Sequence, residues 1–166
     1  VSPVIETVKT EQGLCTSEKQ ELAVQTAFQY NLSIITGSPG TGKTTVLKII
    51  LEVYRRIYPD KKIVLMAPTG RASRRMAEST GFEDACTLHS GLRLVSEEDE
   101  GGRKDEKEML DADLVIVDEF SMVDMWLASK FFTALKNGAK AVLVGDPDQL
   151  PSVGAGNVFK ELITCG

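Results

Sequence analysis

The stretch NLSIITGSPGTGKTTVLKII, residues 31–50, opens as an apolar run, breaks into glycine and small polar residues, and then resumes with its apolar residues at helical spacing. Within it Gly37, Ser38, Pro39, Gly40, Thr41, Gly42, Lys43 and Thr44 fit the pattern G-x-x-x-x-G-K-[ST]. That pattern carries meaning only between a strand and a helix, and the flanking residues supply that context. Glycines let the backbone curl so that successive N–H groups point at phosphate oxygens, and a helix starting near Lys43 adds the positive end of its dipole. The Lys43 ammonium would then reach the β- and γ-phosphates, and the Thr44 hydroxyl would take one position on Mg2+. With Thr45 beside them, these residues make a candidate ATP·Mg2+ site. The alternative is a plain strand-to-helix turn.

Working outward, four short apolar runs recur at residues 32–35, 63–67, 114–117 and 141–144, each too short for a helix and rich in Val, Ile or Leu. Between the first two, residues 43–58 space Val46, Leu47, Ile50, Leu51 and Tyr54 as a helix, which Pro59 ends. Residues 123–137 read as a helix closed by Gly138. Residues 17–30 form a third, with Leu22, Ala23, Thr26, Ala27 and Tyr30 on its apolar face and Ser17 and Gln20 as a capping-box pair at its start. Near-continuous apolar strands alternating with helices predict an α/β fold whose mostly parallel sheet is covered on both faces. Residues 1–15 are read as a lead-in and 16–166 as one domain, with no internal repeat.

The 166 residues are 42% apolar and 26% charged, the composition of a globular domain. No apolar run approaches the ~18 residues of a membrane span, and no signal-peptide pattern follows Val1. Starting on valine suggests a piece of a longer chain. Cys15, Cys86 and Cys165 are odd in number and widely spaced, which predicts reduced thiols in a cytoplasmic protein rather than disulfides or zinc. The net charge of −5 counts modestly against nucleic acid as a partner. Much of the acid sits in SEEDEGGRKDEKE, residues 96–108, which reads as a solvated loop. Arg71, Arg74 and Arg75 form a small basic cluster beside a strand end.

A second site must complete the first. LVIVDEF, residues 114–120, runs an apolar strand into Asp118 and Glu119, and parallel sheets bind ligands at that end of a strand. Asp118 suits the Mg2+ shell, and Glu119 can orient or deprotonate an attacking water. A solvated acidic turn is the bland alternative. A kinase acting on a small acceptor would not need Glu119, so hydrolysis is favoured over transfer. Two further strands lead into PTGRASRRM, residues 68–76, and GDPDQLPSVGAGN, residues 145–157. Asp146 and Asp148 suit a turn, whereas Gln149 can sense a γ-phosphate or place water.

Taken in order, Gln20, GSPGTGKTT, APTGRASRRMAE, TLH at 87–89, VDEFSM and GDPDQLPSVGAGN resemble the first RecA-like motor domain of superfamily 1 DNA helicases. Within these, the sequence is most similar to the RecD-like branch, which includes the exodeoxyribonuclease V alpha subunit and its stand-alone relatives. The resemblance runs from Thr16 to about Phe159. It implies a RecA-like P-loop NTPase fold, ATP and Mg2+ as cofactors, and ATP-driven translocation on single-stranded DNA, 5′ to 3′, with unwinding in recombination or repair. Catalysis would rest on Lys43, Glu119 and Gln149, and Gln20 would read adenine unless it only closes its capping box. Pro68, Thr69, Arg71, His89, Ser152, Val153 and Asn157 match positions that face the DNA strand, although Arg71 also suits a solvated helix face and His89 a structural role. Subunits of a nuclease complex are among the partners implied, no membrane is, and the piece itself is expected to be monomeric.

Two departures limit this likeness. The charged residues 96–108 replace a loop in which the family carries an aromatic residue and asparagines, so no DNA contact is assigned there. The sequence also stops at Gly166, before the second motor domain and its arginine fingers, each worth on the order of 10³ or more in rate. The piece alone is therefore expected to hydrolyse ATP very slowly. A P-loop kinase, another ATPase and an inactive nucleotide-binding subunit remain the competing readings.

Overall fold

The computed structural model describes residues 1–37, 42–92, 110–146 and 162–164. Its centre is a five-stranded sheet built from β1 (Leu32–Thr36), β2 (Ile63–Ala67), β3 (Cys86–Thr87), β4 (Leu114–Val117) and β5 (Lys140–Gly145), in the order β1-β5-β4-β2-β3. Every pairing is parallel, with Ile34 opposite Leu143, Val115 opposite Ala141, and Leu65 opposite Ile116. The four runs read from the sequence are four of these strands.

The apolar runs are near-continuous because both faces of the sheet are buried. Their period of two splits the side chains between two cores. Ile35, Leu65, Leu114, Ile116, Val142 and Val144 enter one. Met66, Val115, Val117, Ala141 and Leu143 enter the other.

The first core is covered by α1 (Ser2–Gln12), α2 (Glu18–Gln29), α3 (Lys43–Ile57) and Met76 of α4 (Gly70–Thr80). All five apolar residues assigned to the face of α3 are buried, and so are Ile49 and Val53, because α1 and α2 both pack on that helix and widen the stripe it must hide. The second core is covered by α5 (Leu88–Gly91) and α6 (Met125–Ala134), with Phe120 and Phe131 fully buried edge to face.

Three features differ from the sequence reading. Residues 2–12 are helical, and Ile5 and Val8 lie in the first core. In α2 the capping box of Ser17 and Gln20 forms as expected, but the buried stripe is Val24 and Ala27 with Ala23 and Phe28 beside them, while Leu22 and Tyr30 are exposed. The helix read over 123–137 is shorter at both ends. Asp124 starts it by accepting a hydrogen bond from Leu127 N, and at the other end Leu135 turns extended to bridge Leu110. Gly138, at φ 83°, serves the turn into β5 instead of a helix end.

Candidate functional site

In a parallel sheet every strand delivers its C-terminal end to the same edge, and here those ends carry the polar residues singled out by sequence. β1 ends before Gly37, whose N–H bonds the carbonyl of Gly145 at the end of β5. On the far side of the loop, Gly42 sits at φ 80° as the N-cap of α3, with no side-chain hydrogen bond capping that helix. Lys43, half-buried, and Thr44, exposed, stand in the first turn of that helix. This is the arrangement in which a helix N-terminus receives an anion.

Gln20 reaches this point from α2. Its Oε1 accepts from Ser17 N at 2.9 Å, and its Nε2 donates to Gly42 O at 3.3 Å. The capping glutamine and the last glycine of the phosphate loop are thus in contact. Neither the sequence separation nor either motif announces that contact.

β5 lies between β1 and β4, so the loop and the carboxylates at the end of β4 are two strand spacings apart, about 10 Å. Asp118 continues the pairing of β4 with β2 through its N–H to Met66 O, and its Oδ1 accepts the N–H of Glu119 at 2.7 Å. Thr44, Asp118 and Glu119 line one cavity of about 430 Å3, together with Arg75, Met76 and Ser79 of α4. A threonine hydroxyl and an aspartate carboxylate offer the hard oxygen donors that Mg2+ takes when substrate phosphates fill most of its shell. The site fits that ion.

Glu119 is the one non-glycine residue with positive φ among the described residues, at φ 51° and ψ 37°. A left-handed conformation costs a side-chain-bearing residue about 1–2 kcal/mol. The Glu119 carboxylate is half-buried and pairs with Arg75 Nη2 at 3.1 Å. The sequence placed Arg75 only in a basic cluster. Its pairing with a carboxylate 44 residues away depends on β2 and β4 being neighbours.

The remaining candidates lie toward the other end of the same edge. β2 runs into Pro68 and Thr69, and the Thr69 hydroxyl caps α4 by accepting from Ala72 N at 3.1 Å. Arg71 is exposed on the first turn of that helix. His89 follows the end of β3, is exposed, and lies 6.3 Å from the ring of Trp126. Ser38, Pro39, Gly40, Thr41, Gln149, Ser152, Val153 and Asn157 lie outside the described residues. Asp146, read from sequence as a turn residue, is only 5% exposed at the end of β5.

Residues 20–155 match the family model described as an AAA domain. The chain is 39% identical over 164 residues to the RecBCD enzyme subunit RecD of Haemophilus influenzae, covering 86% of this chain and 26% of that protein. It is also 39% identical over 148 residues to the ATP-dependent RecD2 DNA helicase of Deinococcus radiodurans, covering 89% of this chain and 20% of that one. The chain thus spans about a quarter and a fifth of these two relatives. Among solved structures, the Pif1 helicase from Bacteroides in complex with ADP-AlF3 and ssDNA superposes with a TM-score of 0.61 at 25% identity, covering 92% of this chain and 37% of that one.

Proposed function

Because this chain belongs to the AAA domain family, in the RecD-like branch of the superfamily 1 helicases, we propose that it is the ATP-binding motor domain of a helicase that steps along single-stranded DNA. The observation that carries this reading is the single cavity shared by Thr44, at the N-terminus of α3, with Asp118 and Glu119. ATP would bind with its phosphates at that N-terminus, held by Lys43 and the loop residues 37–45. Thr44 and Asp118 are the residues that would hold Mg2+, whose chemistry is to neutralise charge on the phosphates. Glu119 would orient the attacking water, with Gln149 beside the γ-phosphate and Gln20 against the base.

Pro68, Thr69, Arg71, His89, Ser152, Val153 and Asn157 would meet the DNA strand, mostly at phosphates, which position without reading sequence. Residues 16–166 would form one domain, monomeric by itself, in a cytoplasmic enzyme of recombination or repair that works alone or with nuclease subunits. No described helix is long and apolar enough to cross a membrane. Turnover would need a second motor domain closing over the cavity, and the preferred direction would be 5′ to 3′.

The deciding experiment is ATP turnover by the full-length protein with and without single-stranded DNA. Stimulation by DNA, lost in Glu119→Gln with ATP binding retained, is the expected result. Turnover that ignores DNA would place the chain with the P-loop kinases or other ATPases instead.

A further inference from the structure

We infer that Trp126, with His89 and Lys130, forms a stacking platform for the bases of single-stranded DNA, an inference that rests on the proposed DNA-binding role. None of the sequence motifs includes Trp126 or Lys130. Trp126 lies half-buried in the first turn of α6, which Asp124 caps by accepting from Leu127 N. The His89 ring is 6.3 Å away, tilted by 33°, and comes from a different element two residues beyond the end of β3. Lys130, one helical turn on, places its ammonium 5.8 Å from the centre of the Trp126 ring.

This chemistry suits a single strand. Aromatic faces accept any base by stacking, and a cation close to them answers the phosphate that follows. Lys130 is exposed, and among the described residues its ammonium has only this ring as a partner, a contact it can exchange for a phosphate. Position agrees with chemistry, because β3 pairs with β2, so His89 emerges about one strand spacing from Thr69 and Pro68. Phosphate-directed groups on α4 and a base-directed surface on α5 and α6 then lie along one path. Apart from the helix-capping Asp124, the elements at residues 120–122, α5 and α6 carry no acidic side chain to repel a strand.

Trp126 is the sole tryptophan of the chain, so its fluorescence reports the platform directly. The 166-residue protein is titrated with fluorescein-labelled dT12, read by anisotropy, and in parallel with unlabelled dT12, read by Trp126 emission. Both signals are expected to saturate together, with emission strongly quenched. An abasic deoxyribose-phosphate 12-mer should bind and leave the emission largely unchanged. Trp126→Ala should weaken dT12 binding by about tenfold, and Trp126→Phe by much less. Lys130→Ala should lower the salt slope by about one.

Anisotropy binding with unchanged Trp126 emission, or equal quenching by the abasic strand, overturns the platform and leaves the DNA-binding role standing. Absence of anisotropy binding at low salt also overturns the platform, and the DNA-binding role is then decided by turnover of the full-length protein with single-stranded DNA. Emission that shifts with protein concentration alone, matched by dimer in sedimentation, assigns the surface to a second copy and also overturns the platform.

Discussion

Replacing Gly42 by alanine tests the contact between the capping box of α2 and the phosphate loop. A Cβ built on Gly42 would lie 2.1 Å from Gln20 Nε2 and 3.4 Å from its Cδ, so the amide must leave. Leaving breaks its bond to Gly42 O and disturbs the one its Oε1 accepts from Ser17 N, each worth roughly 1 kcal/mol. The φ of 80° adds about 1–2 kcal/mol for a side-chain-bearing residue, offset by about 0.4–1 kcal/mol from a stiffer unfolded chain. Gly42→Ala should therefore lower stability by roughly 2–3 kcal/mol. In a Gln20→Ala background, where the clash and both bonds are already gone, the same change should cost only about 1 kcal/mol. Urea denaturation of the four proteins gives the coupling directly, expected at about 1–2 kcal/mol. Costs that add within about 0.3 kcal/mol would refute the contact, and with it the claim that Gln20 is held against the loop before any nucleotide arrives.

Other outcomes follow from the same reasoning. Combining Ile5→Ala and Val8→Ala empties two core positions of α1 and should cost about 3–5 kcal/mol by urea denaturation, whereas a loosely attached leader would cost nearly nothing. The Asp113 carboxyl is held below the usual carboxylate range, chiefly by the Lys62 N–H and then by Lys136. Because its folded pKa is depressed, its stabilisation is complete above the unfolded pKa near 4 and is lost as pH falls through the folded value. Asp113→Ala should therefore lower the melting temperature at pH 7 and flatten its decline below pH 4. At position 119, where φ is positive, glycine should be more stable than alanine by about 1 kcal/mol, reversing their helix ranking.

What the sequence made legible was whatever local pattern alone determines. β2 and β4 were readable to the residue because a parallel sheet buried on both faces needs uninterrupted Val, Ile and Leu. β3 has only Cys86 and Thr87, too short for any periodicity, and is held by its pairing with Met66 and Ala67. α1 was missed because Ile5 and Val8 are a thin apolar signal among polar residues, and its docking depends on α3. On α2 the predicted face holds for Ala23 and Ala27, but Leu22 and Tyr30 are exposed and Val24 is buried instead, because the surface of α3 decides which side is hidden. In the site, Lys43, Thr44, Asp118 and Glu119 follow from two motifs. The Arg75 pairing and the left-handed backbone of Glu119 do not, since strand order creates the first and the turn after β4 the second.

Strand order also sets where the candidate site residues fall along the sheet edge. With β1, β5 and β4 adjacent, the phosphate loop and Asp118 share one end of the edge, while β2 and β3 carry Thr69 and His89 to the other. α4 joins the two. Its N-terminus is fixed by the Thr69 hydroxyl, and Arg75, six residues further and about 9 Å along the axis, holds the carboxylate of Glu119. Met76, fully buried beside Arg75, anchors that turn in the first core. One helix of eleven residues thus touches both the carboxylate of Glu119 and the Thr69 hydroxyl, which joins the two groups of proposed site residues in one element.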